Sequence, residues 1–264
     1  MHTTRIIATL GLVAAMDPAF AVAVTSTDTA AVTITFAKPI FADLPGANSD
    51  VVSISFPSTG GSTRSRSVNA GRFVGQATDL AGVGPEVFVD GVDNVFLYCY
   101  DIYQDIAAGD MVRYEIQFDG ATARTLQFLG AVNTVMNDGR EAAMWDPYAW
   151  VRPLTGLQGA AIQLGIWESL YDDGASWSLR AGTFRAAGLD TATAHWVDRF
   201  FSAVDPLGSL DQRFTMVLRN DRKQDMITAD PPGSVPEPGT LLLIGTALTT
   251  LLATRRRRPG TGPT

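Results

Sequence analysis

The chain has 264 residues, with 20 basic and 27 acidic side chains, a formal charge of −7 and 46% hydrophobic residues. The acidity sits in the middle: residues 22–238 keep 15 Lys and Arg against 26 Asp and Glu, a net charge of −11, and such a surface repels phosphate backbones, which argues against nucleic acid as a partner. Two histidines, His2 and His195, and the single cysteine Cys99 cannot assemble a His-rich or Cys-based metal centre, so no metal or cofactor is expected.

In chain order, Arg5 gives the first residues a positive charge, residues 6–15 are apolar, and Ala19-Phe20-Ala21 fits a small-x-small cleavage site. Residues 1–21 therefore read as a secretory signal peptide and are set aside from the fold. Segments 30–36 and 50–56 alternate apolar with small polar residues and predict half-buried strands. Residues 57–67 read as a Gly/Ser/Thr loop. An apolar-aromatic strand over 95–100 carries Cys99, which alternation places on the face of Val95 and Leu97. Residues 111–118 alternate again, and 124–150 turn helical. The clearest helix is 158–171, ended by a turn at 172–174; a second helix over 192–204 and a closing strand over 213–218 follow. Strands at both ends with helices inserted late predict an α+β fold, an antiparallel sheet or barrel-like domain with inserted helices. No linker divides 22–233, so one exported domain is expected there.

At the end of the chain Pro236, Glu237 and Pro238 precede the uncharged run 241–253, and Arg255, Arg256, Arg257 and Arg258 follow at once. Prolines keep the approach extended, and the arginines hold the terminus on the cytoplasmic side of a bilayer. Thirteen helical residues reach roughly 20 Å, short of the ~30 Å hydrocarbon core. That length is marginal for a permanent anchor and suits a segment held in the membrane until it is processed. These three parts, in this order and place, resemble the PEP-CTERM exosortase signal of bacterial surface proteins. The resemblance implies a sorting segment over 234–264, membrane contact through its helix, an exosortase-type processing enzyme as partner, and passage from the inner membrane to the cell surface or beyond.

Enzymatic signatures are scarce. No GxSxG elbow is present, and His195 lies in the opening of the helix over 192–204, where Thr191 can cap and the imidazole serves as a surface or packing residue. The acidic spots at 90–93 and 172–174 do not match an EF-hand loop and read as turns. A glycosidase-like carboxylate pair is not marked by anything in the sequence. The expectation is a binding protein, not an enzyme, with a secreted hydrolase of unlocated carboxylate site as the alternative.

Turning each residue of the 158–171 helix by about 100° sets Ala160, Ile166, Trp167 and Leu170 around Gln163, with Glu168 and Asp172 opposite. A carboxamide central to an apolar face needs an interior partner. Cys99 is a candidate: in an exported chain it has no second cysteine to pair with. A buried thiol facing a buried glutamine can react to an internal thioester with loss of ammonia. Alternatively, Gln163 bonds a backbone group and Cys99 is a small core hydrophobe.

Tyr98-Cys99-Tyr100-Asp101, followed by Gln163-Leu164-Gly165-Ile166-Trp167-Glu168, resembles the bacterial surface thioester domains, which pair a strand cysteine with a helix glutamine. The resemblance covers residues 88–173. It implies Cys99 as thiol partner, Gln163 as acyl partner and Trp167 packed over the bond, in an adhesin that captures amines on a surface or matrix polymer. The chain departs from that pattern at Ile162, where the family has threonine, and at Gly165, usually alanine. Lysine is confined to Lys38 and Lys223, as suits a chain that must not consume its own electrophile; a compositional preference for arginine gives the same pattern.

Overall fold

A computed structural model describes residues 29–231, apart from 59, 173 and 175. The signal peptide expected at 1–21 and the sorting segment expected at 234–264 lie outside the described residues. No helix among the described residues is long and apolar enough to cross a membrane.

Six strands close a barrel. They are β1 (Ala31–Phe41), β4 (Phe73–Ala81), β5 (Val95–Cys99), β6 (Met111–Gln117), β8 (Met216–Arg219) and β9 (Met226–Thr228), in the order β1-β4-β5-β9-β8-β6, every pair antiparallel. The period-2 pattern of β1 and β6 produces this directly. Val32 sits opposite Tyr114 and Ile34 opposite Val112, and all four are buried, while Met111, Arg113 and Glu115 between them stay exposed. Closure leaves the barrel without an edge. A second antiparallel sheet has the order β3-β2-β7, built from β2 (Asp50–Pro57), β3 (Thr63–Ala70) and β7 (Arg185–Ala187).

Three helices complete the domain: α1 (Ala123–Met136), α2 (Gly156–Tyr171) and α3 (Thr191–Ser202), N-capped by the side chains of Thr122, Thr155 and Asp190 respectively. Helix α2 is central. It packs against α1 and α3 on one side and against β2, β3 and β5 on the other, and 13 of its 16 residues are buried. A helix apolar nearly all round belongs inside a core. Its glycines permit the close packing: a Cβ on Gly165 would lie 1.9 Å from Phe128 Cζ of α1, and one on Gly156 would lie 2.0 Å from the Ala47 carbonyl oxygen. The glycine at 165, a departure from the thioester-domain pattern, thus leaves room for the Phe128 ring.

The α+β expectation of an antiparallel, barrel-like domain with inserted helices agrees with this architecture. Several finer expectations need correction. The loop expected at 57–67 ends at Ser62, because β3 begins at Thr63; its run Thr-Arg-Ser-Arg-Ser-Val-Asn-Ala has no apolar period to reveal a strand, and pairing with β2 supplies the order. The helical stretch expected at 124–150 is one helix ending at Met136 and two isolated 3-10 turns. The closing strand starts at Met216, after a 3-10 turn at Gln212–Phe214. Glu168 and Asp172, set opposite Gln163 by the wheel, are buried as well, Glu168 beside Ser178 and Arg124.

Candidate functional site

Strand β5 ends at Cys99, and α2 crosses beside it. Gln163, fully buried, lays its carboxamide along the main chain of Cys99. The Cys99 N–H donates to Gln163 Oε1 at 2.8 Å, and Gln163 Nε2 donates to the Cys99 carbonyl at 2.9 Å. Two residues 64 positions apart are thereby joined by a pair of hydrogen bonds that imitates one rung of a β-ladder. Gln163, central to the apolar face of the wheel, turns toward β5, and its polar atoms meet the backbone of Cys99. The thiol is 2% exposed, and burial, with the Asp101 carboxylate adding to it, pushes its pKa well above the ordinary thiol value. Cys99 is therefore held as the neutral thiol.

The flanks of Cys99 are tied on every side. Tyr98, also fully buried, packs its ring 6.2 Å from that of Trp150. The Tyr100 amide donates to Asp225 O at 2.7 Å, and the Tyr100 hydroxyl accepts the Thr122 N–H at 2.8 Å. Beyond it, the Asp101 carboxylate accepts N–H bonds from Tyr103, Gln104 and Asp225. Burial nevertheless raises the Asp101 pKa. The chain then returns over the site as a strap. Arg66 of β3 donates from Nη1 to Asp105 Oδ1 at 2.8 Å and from Nη2 to Ile102 O at 2.7 Å, while Tyr171 at the end of α2 accepts the Ile102 N–H at 3.1 Å.

Between strap, β3 and barrel lies a crevice of about 260 Å³ lined by Cys99, Trp167, Phe41, Phe73, Arg66 and Asp105, among others. Trp167 is 2% exposed, and its indole N–H has no acceptor among the described residues. The Nε–H of Arg66 has none either. Sequence reasoning missed Arg66 and Asp105, since a polar strand and an irregular strap carry no periodic signal.

About one and a half turns beyond Gln163, the buried carboxyl of α2 behaves differently. Glu168 Oε1 accepts the Ser178 N–H at 3.1 Å and lies 3.9 Å from Arg124 Nη2, whereas Oε2 finds no hydrogen-bond partner among the described residues. Burial pushes its pKa up to about 7. His195 stands exposed on α3 beside Trp196, a surface residue of the helix. No cluster of three or more His, Cys, Asp or Glu able to hold a metal ion occurs among the described residues.

The PEP-CTERM protein-sorting motif is matched over residues 234–258, which takes in Pro236, Glu237, Pro238 and Arg255 to Arg258, all beyond the described residues. The chain thus carries the signal of an exosortase-sorted, exported protein. No curated protein and no solved structure matches the chain.

Proposed function

We propose that the chain is a surface or matrix-associated binding protein, not an enzyme, whose exported domain captures amines through a thioester between Cys99 and Gln163. The observation that carries this reading is the clasp of the Gln163 carboxamide by both main-chain groups of the residue that bears the thiol.

The chemistry follows from that placement. Sγ attacks the carboxamide carbon of Gln163, the C–S bond forms and the C–N bond breaks, and the thiol proton leaves with the nitrogen as ammonia. Negative charge gathers on Oε1 during attack, where the Cys99 N–H stands ready to receive it. The Cys99 carbonyl orients the departing nitrogen. With the thiol held neutral, its proton moves during attack and not before it. Burial keeps water from the product bond, and the crevice beside Trp167 is the approach for an amine. The partner of such a site is a surface or matrix polymer bearing amines.

A second reading has the same two bonds in its favour: they satisfy the carboxamide with no reaction at all, leaving a structural clamp. A small amine such as methylamine separates the two. The thioester reading expects it to be incorporated at Gln163 and to free the Cys99 thiol, and expects Cys99→Ala and Gln163→Ala to abolish the labelling. Absence of labelling in the unsubstituted protein leaves the clamp. The hydrolase alternative has no comparable support, because the two carboxyls pushed up to about 7, Glu168 and Asp230, are both sealed from solvent.

A further inference from the structure

The crevice beside Cys99 has a wall that the thioester chemistry does not use. Side chains alternate across a strand, so a crevice lying on one face of a strand touches every second residue. This one touches four in succession, Arg66, Ser67, Val68 and Asn69, and therefore runs along the edge of β3. That edge is open. Among the described residues β3 pairs only with β2, and the main-chain groups on its other side make no hydrogen bond. The barrel has no edge, and the opposite edge of the small sheet, β7, is three residues long against the eight of β3.

We propose that the open edge of β3 is a docking strand for an extended polypeptide segment of another protein, which pairs with Arg66–Asn69 and is laid beside Cys99. An edge offers N–H and C=O groups in a repeat that another extended backbone complements; a sugar chain has no matching repeat. A volume of about 260 Å³ admits a short segment and no folded domain. The unpartnered Arg66 Nε–H and Trp167 Nε1–H are donors for carbonyl or side-chain oxygens of the docked segment. A second copy of this chain is a poor source of amine, with only Lys38 and Lys223 to offer, so the partner is a different protein presenting a lysine.

The inference deepens the preceding reading by naming the partner class, and it rests on that reading for the lysine that sets the partner apart from a second copy and for the covalent step. There the lysine amine attacks the thioester carbonyl, a C–N bond forms, the C–S bond breaks, and the amine proton passes to the Cys99 thiolate.

The test uses the full chain in detergent and a synthetic pentapeptide, end-blocked Thr-Val-Lys-Val-Thr, followed by hydrogen–deuterium exchange. The peptide is expected to slow exchange in residues 63–70 and to leave 185–187 unchanged. Two N-methylated versions, each blocking one edge of the peptide, distinguish strand pairing from general stickiness: one is expected to bind at least about tenfold more weakly and the other to match the parent. Unaltered exchange in 63–70 at saturating peptide overturns the proposal, as does equal binding of both N-methylated peptides. Protection of 63–70 by a soluble oligosaccharide in place of the peptide overturns it too. The Cys99→Ala protein is expected to keep the protection and lose conjugation. Protection without conjugation in the unsubstituted protein sinks the thioester and leaves the docking strand standing.

Discussion

Gln163 and Glu168 are buried on the same helix, five residues apart, and they solve the same problem in opposite ways. The carboxamide is neutral, and each of its polar atoms has a partner on one backbone residue. The carboxyl has one good hydrogen bond, a distant arginine and an oxygen with no hydrogen-bond partner among the described residues. The first arrangement fixes a geometry at no electrostatic cost, while the second trades charge for burial and becomes sensitive to pH. A fixed geometry belongs to the satisfied end of the helix, and sensitivity to conditions belongs to the other.

The sharpest way to break this contrast is Gln163→Ala, which strips partners from the buried N–H and C=O of Cys99. At about 1–3 kcal/mol per orphaned buried group, a loss of about 3 kcal/mol or more is expected in chemical denaturation. A loss under about 1 kcal/mol would mean that the clasp is not what holds α2 against β5. Gly165→Ala follows. It adds a methyl into the Phe128 ring, and overpacking of this kind costs about 1–3 kcal/mol. An alanine tolerated without loss would show that α1 and α2 can separate freely.

Glu168 sharpens the comparison through pH. Its folded-state pKa, up to about 7 from an ordinary 4.5, means that the native state keeps a proton the unfolded chain has released. Stability therefore falls as pH rises between about 4.5 and 7. Asp230, raised from 3.8 to about 7 by burial, acts in the same direction. Glu168→Gln should flatten the slope to the share left by Asp230 and the likewise raised Asp101, whereas Gln163→Ala should lower the whole curve without changing its slope. An unchanged slope in Glu168→Gln would place the titration elsewhere. The smallest effect is expected at the C-terminus: a chain ending at Gly233 should melt at the temperature of the full chain in detergent, and a clear fall would assign a packing role to the residues beyond it.

The contrast also marks what was legible in the sequence. Alternation in β1 and β6 gives strands because one face of each is buried and the other wet. β3 alternates nothing apolar, and β9 is three residues long, so neither carries a period to read. The wheel finds the side of α2 on which Gln163 lies, since that depends on helix geometry alone. It sets Glu168 on the opposite side but is silent on its burial, because whether that side meets water depends on α1 and the segment after α2, which the wheel does not contain. For the same reason a lone cysteine and a glutamine can be proposed as partners from their chemistry, while the participation of the Cys99 main chain and of Arg66 emerges only once β5, α2 and β3 are brought together.

The central claim is that the clasp between Cys99 and Gln163 is a reactive pair. Intact mass of the purified, unlabelled protein tests it most directly. The account predicts a mass below that of the sequence by one ammonia, restored to the respective sequence mass in Cys99→Ala and in Gln163→Ala. A mass equal to the sequence in the unsubstituted protein would contradict it and leave Gln163 as a structural clamp on β5.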